Sequence, residues 1–333
     1  MCIRNGMSFG PSYDYDKNSL ESLRKKLLND QIERVEATAS SSESDAALIE
    51  RINKDMQLYE SKQLSSSPSS SSELFPPLAM DEQSRVQELI QARKRDIPDE
   101  DKTHFGSVLR RPPTHEVVIL KYKIGMTYSK IQVLKPGAWL NDEVINFYMS
   151  MLQERDSQLS AGGGGGGGGR RTSHYFNSFF MSKLLERDQY TYSNVRRWSK
   201  TFDVFSKDKI FIPVNIHNTH WTMAVVFIAK KEMHYYDSMS GSGRKYLSAL
   251  QQWLKDEAKD KKGIVDLDTS DWKLLDREPE VPQQANGYDC GVFSIMCADY
   301  LSDDLPINSY SQGEMPSYRV KIGCSILRGS IPY

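Results

Sequence analysis

The sequence predicts an α+β domain in which a central sheet is flanked by helices, and three observations carry that prediction. Residues 210–216, 220–228 and 233–237 are short runs rich in branched and aromatic side chains, the last two separated by the charged turn Lys230-Lys231-Glu232 and so read as a hairpin. Upstream, residues 140, 144, 147, 148 and 151 are apolar at helical spacing, with Asn141 or Asp142 as the cap. Downstream, Val292, Phe293, Met296, Cys297, Tyr300 and Leu301 step along a second buried helix.

The 333 residues open with a segment expected to stay outside that domain. Leu20, Leu23, Leu27, Leu28, Ile32 and Val35 fall at helical spacing, and Ile49, Ile52, Met56 and Tyr59 repeat the pattern, yet neither helix has an evident packing partner. From Ser65 to Ser72 every residue except Pro68 is serine, a composition that buries too little apolar surface to offset the entropy of ordering. Residues 1–74 are therefore read as a mobile polar extension with marginal helices, and residues 75–333 as the folded domain. Within it a helix is expected over 81–95 and a strand over 117–122. The eight consecutive glycines at 162–169 lose the most backbone entropy on ordering and have no side chain to pack, so they read as a flexible insert, with a strand at Asn177 after it. Pro213 marks the 210–216 run as an edge or bulged strand.

Composition excludes several functions. Lys+Arg number 43 against Asp+Glu 44, a net charge of -1, so there is no global basic field to hold a phosphate backbone and nucleic acid is not an expected partner. No uncharged apolar run approaches the roughly 18 residues that a membrane span requires, and the amino terminus has no apolar signal core. A place inside the cell is expected. Arg93-Lys94-Arg95 is a short basic cluster of the kind that ends a helix or serves as a nuclear signal. The four cysteines lack CxxC spacing and fit neither a disulfide framework nor a zinc site, and His217 and His220 have no third ligand at suitable spacing, so no metal is expected.

The residues able to do chemistry gather around the hairpin and the second helix. His220 opens the first hairpin strand and Asp237 closes the second, which puts both at the hairpin's open end. A carboxylate beside a histidine fixes its tautomer and stabilises the imidazolium, as a general base for a thiol requires; on the hairpin alone, an exposed strand end is the plainer reading. Cys290 sits between the turn Asn286-Gly287-Tyr288-Asp289 and the helix that follows, where unpaired amides and the helix dipole favour a thiolate. Cys297 lies two turns further on the apolar face and reads as core, Cys2 lies in the extension, and Cys324 lies in an apolar carboxy-terminal stretch. Gln284, six residues before the thiol, is either an oxyanion donor or a plain loop residue.

Asn218-Thr219-His220-Trp221, Tyr236-Asp237-Ser238 and the nonapeptide from Gln283 to Gly291 strongly resemble the ubiquitin-like-protein-specific cysteine proteases, the SUMO or sentrin-specific proteases. Trp139-Leu140-Asn141-Asp142, Phe176-Asn177-Ser178-Phe179-Phe180, Val195-Arg196-Arg197-Trp198 and Asp208-Lys209-Ile210-Phe211 match as well, so the resemblance covers about residues 76–333. It implies a papain-like superfamily fold with a central mixed sheet. It also implies Cys290 as nucleophile, His220 as general base, Asp237 as its orienting partner, and Gln284 with the Cys290 amide as oxyanion donors. Trp139 and Trp221 match residues that roof a slot admitting only glycine, Asp142 a residue that pairs with a basic side chain of the modifier, and Arg196, Arg197 and Trp198 a block near the modifier-binding surface, with Trp198 anchoring it by packing.

By the same resemblance the expected activity is hydrolysis after the carboxy-terminal Gly-Gly of SUMO, maturing precursors, releasing SUMO from conjugates, or both, without a cofactor. SUMO or SUMO-conjugated proteins are the expected partners, the enzyme is expected to be a monomer, and the nucleus is its expected place, with the cytoplasm as a second. The octaglycine insert and the short carboxy-terminal end depart from the family pattern. Three other readings stand beside this one: a protease for a Rub-type modifier, a non-catalytic SUMO-binding module, and a papain-like endopeptidase of broad specificity. The chain order His, Asp, Gln, Cys opposes the last, and filled catalytic positions oppose the second.

Overall fold

Two helices, α1 (Leu78–Lys94) and α2 (Asp99–Arg110), lead into a hairpin of β1 (Val117–Lys121) and β2 (Ile124–Thr127). The computed structural model describes residues 78–161 and 173–332; the expected extension at 1–74 and the glycine run at 162–169 lie outside the described residues. Asp99, Glu100 and Asp101 in the first turn of α2 and Arg110 in its last complement the helix dipole. After a single turn, α3 (Tyr128–Ile131), the chain enters α4 (Asp142–Ala161). Its cap is Asn141, whose Oδ1 accepts the Val144 N–H at 3.0 Å, which leaves the Asp142 carboxylate to accept the Ser178 hydroxyl at 2.7 Å.

Beyond α4 come β3 (His174–Tyr175), α5 (Phe179–Leu184) and the small ladder of β4 (Leu185–Glu186) with β5 (Gln189–Tyr190). The strand expected at Asn177 is thus shorter and earlier: the chain leaves the sheet after Tyr175, and the Asn177 carbonyl accepts the Phe180 N–H in the turn that starts α5. The three expected strands form as β6 (Lys209–Ile216), β7 (His220–Phe227) and β8 (Glu232–Tyr236). After α6 (Arg244–Lys262) and β9 (Lys273–Leu275), the chain ends in α7 (Cys290–Ser302) and α8 (Met315–Arg328).

The main sheet is mixed, with strand order β3-β6-β7-β8-β9, antiparallel in the middle and parallel at both margins. β3 pairs only with Ile210 and Phe211, so at Pro213 β6 has a neighbour on the β7 side alone; the missing N–H leaves no ladder bond unmade, and the β6–β7 register runs without a bulge. Alternation along the strands divides the core. Phe211, Trp221, Met223, Val225 and Phe227 pack with α4, α7 and α8, whereas Ile210, Ile212, Val214, Ala224 and Val226 pack with Phe180 of α5 and Leu247, Leu250 and Trp253 of α6. Because β7 is covered on both faces, every residue of it except His220 is buried.

α1 is tied in by charge as well as by Ile90. The fully buried Arg93 guanidinium donates to Asp299 Oδ1 at 3.0 Å and lies 2.5 Å from Asp303, while Arg155 of α4 reaches Asp299 at 3.1 Å and the Tyr148 hydroxyl donates to it at 2.8 Å. Lys94 pairs with Glu314 at 3.1 Å. Of the two readings of Arg93-Lys94-Arg95, the structure therefore supports the helix end, since Arg93 is inside the fold.

Candidate active site

The pairing of β7 with β8 puts an imidazole and a carboxylate side by side. The last recorded pair is Met223 with Tyr236, so the next residue, Asp237, falls level with Thr222, and His220 lies on the Thr222 face two residues along. Diagonal neighbours on one face of an antiparallel pair are within side-chain reach, and His220 Nε2 lies 2.7 Å from Asp237 Oδ1. With Nε2 so occupied, Nδ1 is the ring nitrogen left for the Cys290 side chain, with which the imidazole is also hydrogen-bonded. Burial disfavours the charged ring, but the bonds and charges of Asp237 and Cys290 outweigh it and push the His220 pKa up to about 9.

Cys290 is the first residue of α7, a helix of 13 residues, and is itself buried at 3% exposure. The residue stands at the helix end where backbone N–H groups have no carbonyl four residues back and partial positive charge collects. Two contacts fix the helix start. A Cβ on Gly291 would stand 2.8 Å from Leu140 Cβ, so only glycine lets α7 approach the segment before α4 this closely. On the other side Arg319 of α8 spans the turn: Nε donates to Asp289 Oδ1 at 2.8 Å, and its terminal nitrogens donate to Tyr288 O at 2.9 Å and Ala138 O at 2.8 Å.

A cleft of about 200 Å³ opens onto Cys290 between Trp139, Leu140, Asn141, Asp142, Asn215, Asn218, Thr219 and Trp221. Trp221, at 5% exposure, donates its indole N–H to Leu140 O at 2.8 Å, whereas Trp139, at 44%, donates to Gly287 O at 2.7 Å. Each indole thus braces one wall of the cleft with its polar edge and presents its apolar body. Trp139, Asp142, Trp221 and Cys290 are brought together. Gln284 does not line this cleft; its carboxamide is held in the neighbouring loop, with Oε1 accepting the Ser238 hydroxyl at 2.7 Å and Nε2 donating to Asn286 O at 2.5 Å.

Arg196, Arg197 and Trp198 lie elsewhere. Arg196 is on the surface and pairs with Asp260 at 2.5 Å, Arg197 is exposed, and Trp198 packs 5.6 Å from Phe180 and 6.2 Å from Phe176, centroid to centroid. Lys209, from another matched block, is buried, pairs with Asp304 at 2.6 Å and donates to Leu301 O at 2.8 Å. Cys297 and Cys324 are buried thiols whose pKa values burial raises, well above the ordinary value for Cys297 and to about 11 for Cys324. Among the described residues no group of His, Cys, Asp and Glu side chains could hold a metal ion, and no helix is long and apolar enough to cross a membrane. Sequence reading gave no role to Asn215 or Arg319. Asn215 lies five residues before His220 across the hairpin turn, whereas nothing in the sequence near Arg319 points to the Cys290 turn.

An α+β fold with a mixed sheet, a thiol at a helix start, and an imidazole–carboxylate pair at the sheet rim define the papain-like class of cysteine proteases. Residues 138–328 match the Ulp1 protease family, C-terminal catalytic domain, and the chain belongs to that family. It is 36% identical over 233 residues to sentrin-specific protease 2 of Homo sapiens, covering 70% of this chain and 37% of that protein. It is 35% identical over 261 residues to ubiquitin-like-specific protease 1A of Arabidopsis thaliana, covering 77% of this chain and 46% of that one. The chain thus spans less than half the length of these two curated relatives. The solved C-terminal Ulp1 protease domain in complex with Smt3, the yeast orthologue of SUMO, superposes with a TM-score of 0.59 at 27% identity over 71% of this chain and 97% of that one. The Chaetomium thermophilum Ulp1-like SUMO protease catalytic domain shares the fold, with a TM-score of 0.60 at 22% identity over 72% of this chain and 92% of that one.

Proposed function

We propose that this chain is a thiol protease that hydrolyses the bond after the carboxy-terminal Gly-Gly of SUMO, maturing precursors and releasing SUMO from conjugated proteins. The observation that carries the reading is a cleft lined by Cys290 and two tryptophans, with the Asp237-bonded His220 imidazole hydrogen-bonded to that same cysteine. The relatives named for sentrin and the Ulp1 domain bound to Smt3 supply the substrate class.

In this reading the Cys290 thiolate, paired with the His220 imidazolium, attacks the carbonyl carbon of the terminal glycine. The oxygen that becomes negative meets the Cys290 N–H at the start of α7 and the Gln284 carboxamide, whose Nε2 has a second hydrogen beyond the one given to Asn286 O. His220 then passes its proton to the leaving amine, water attacks the thioester with His220 as base, and the modifier departs as a carboxylate. Trp139 and Trp221 leave the entering backbone no room for side chains, which suits a tail of two glycines, and Asp142 presents a carboxylate to a basic residue of the modifier. Arg196, Arg197 and Trp198 extend the docking surface away from the cleft. The enzyme works as a monomer, in the nucleus and secondarily the cytoplasm, with residues 1–74 dispensable for catalysis.

SUMO and a Rub-type modifier, each carrying a carboxy-terminal fluorogenic amide, test the proposal. Rapid release from SUMO and little from Rub is the expected result. Equal rates would widen the substrate to ubiquitin-like modifiers generally. Binding of SUMO without release from either would make the chain a non-catalytic module.

A further inference from the structure

We propose that the loop Ser238-Met239-Ser240-Gly241 sets two catalytic groups at once, with Gly241 positioning the Asp237 carboxylate and Ser238 positioning the Gln284 carboxamide. This rests on the proposed roles of Asp237 and Gln284 and adds two residues that touch neither substrate nor the reacting thiol.

The loop leaves β8 at Asp237 and turns back over its side chain. The Met239 N–H donates to Asp237 Oδ1 at 2.8 Å and the Gly241 N–H to Oδ2 at 3.1 Å, while Ser240, at φ 58°, makes the bend and donates to the Asp237 carbonyl at 3.0 Å. Oδ1 also faces His220 at 2.7 Å, so the carboxylate cannot rotate without giving up bonds at both oxygens. Gly241 permits this arrangement because a Cβ there would lie 2.4 Å from Oδ2 and 3.5 Å from Cγ. The requirement is contact rather than conformation, since the φ of Gly241 lies outside the left-handed region that favours glycine.

Ser238 faces the other partner. Its buried hydroxyl donates to Gln284 Oε1 at 2.7 Å and its carbonyl accepts the Gln284 N–H at 2.9 Å. Turning the carboxamide over would set Oε1 against Asn286 O, two acceptors at the 2.5 Å now spanned by the Nε2 donor, so Ser238 and Asn286 together allow a single orientation. The loop is in turn held by Gln283, which accepts the Ser240 hydroxyl at 2.8 Å.

Full-length variants and a SUMO amide substrate distinguish the two roles, with melting curves confirming that each variant folds. The ionisable groups bonded to His220 are Asp237 and Cys290; Tyr235 and Tyr246 feel the Asp237 charge. Gly241→Ala is expected to lower kcat roughly 10-fold and to move the alkaline limb of kcat/KM to lower pH, because the imidazolium loses its aligned partner. In an Asp237→Ala background it should do neither. Ser238→Ala is expected to lower kcat by about 10-fold, short of the 10²–10³ that removal of an oxyanion donor costs, with KM and the pH limb unmoved, and to be silent in a Gln284→Ala background. Ser242→Ala, which loses bonds to Asp276 and to the Arg244 N–H but none to Asp237 or Gln284, should keep wild-type kcat. Wild-type kcat in Ser238→Ala and Gly241→Ala, or losses that add to those of Asp237→Ala and Gln284→Ala, would overturn the positioning role. Full kcat in Asp237→Ala and Gln284→Ala would instead remove the catalytic assignment on which it rests.

Discussion

Arg319 holds Asp289 in a fully buried pair, 2.7 Å at its shortest and with both side chains under 5% exposed, and thereby fixes the residue immediately before Cys290. The same guanidinium also donates to Val133 O and Lys135 O, each at 3.2 Å, so one side chain of α8 joins the segment leading to Trp139 with the turn leading to the thiol.

Removing that side chain takes the charge partner from a buried carboxylate, to which Asn286 and Gln312 still donate at Oδ2, and takes a donor from several carbonyls. Arg319→Ala is expected to lower unfolding free energy by about 3–5 kcal/mol, and urea denaturation measures it. A loss below about 1 kcal/mol would show that water replaces the guanidinium without cost.

Cys290→Ser should abolish release of the fluorophore while SUMO binding persists, because serine ionises far less readily and the docking surface is made of other residues. Cys297→Ala, inside the same helix, should keep turnover and cost only packing, about 1 kcal/mol. Turnover in Cys290→Ser near that of the wild type would take Cys290 out of the mechanism.

His220 carries a folded-state pKa of about 9, above its unfolded value of 6.5. A raised pKa means that the native state binds the proton more tightly, so this stabilisation is full below about pH 6.5 and disappears as pH rises through about 9. Unfolding midpoints of wild type and His220→Gln, followed from pH 6 to pH 10, should converge across that window. A gap independent of pH would contradict the charged pair.

The two tryptophans should fail differently. Trp139→Ala removes a half-exposed wall, so cleavage should drop roughly 10²-fold with little loss of stability, since the scissile bond is no longer held in line. Trp221→Ala empties a buried site and should in addition cost about 3–5 kcal/mol. A SUMO tail ending Gly-Ala should resist the wild-type enzyme; cutting it as fast as Gly-Gly would refute the slot.

Residues 78–137 precede the family match yet contribute Arg93, Phe105, Val108 and Met126 to the core. A chain starting at residue 138 should therefore unfold or aggregate, because Asp299 loses the Arg93 charge, whereas one starting at 75 should match the full chain in turnover. Circular dichroism and the fluorogenic assay check both.

The hairpin was legible because its register follows from a short charged turn, which places His220 and Asp237 at one end without tertiary knowledge. The buried helix after Cys290 was equally plain from its apolar spacing. Two short margin strands were not: β3 and β9 each pair in parallel, through connections too long for local sequence to specify, so Asn177 was assigned to a strand it lies beyond. α6 carried a signal that went unused, with Leu247, Leu250, Trp253, Leu254 and Ala258 forming a stripe at helical spacing. The Arg196 block matched a family pattern, but its pairing with Asp260, 64 residues away, is a tertiary fact. The motif around Cys290 identified the thiol but gave no hint of Arg319.

Of the 13 residues in α7, 12 are buried, including the cysteine that begins it. Amide protons in such an element exchange with solvent only when the whole domain opens, which places the thiol in the last part of the molecule to come apart. Heat inactivation should then coincide with global unfolding instead of preceding it, and any breathing that admits or releases the substrate tail falls to the half-exposed Trp139, which α7 does not bury.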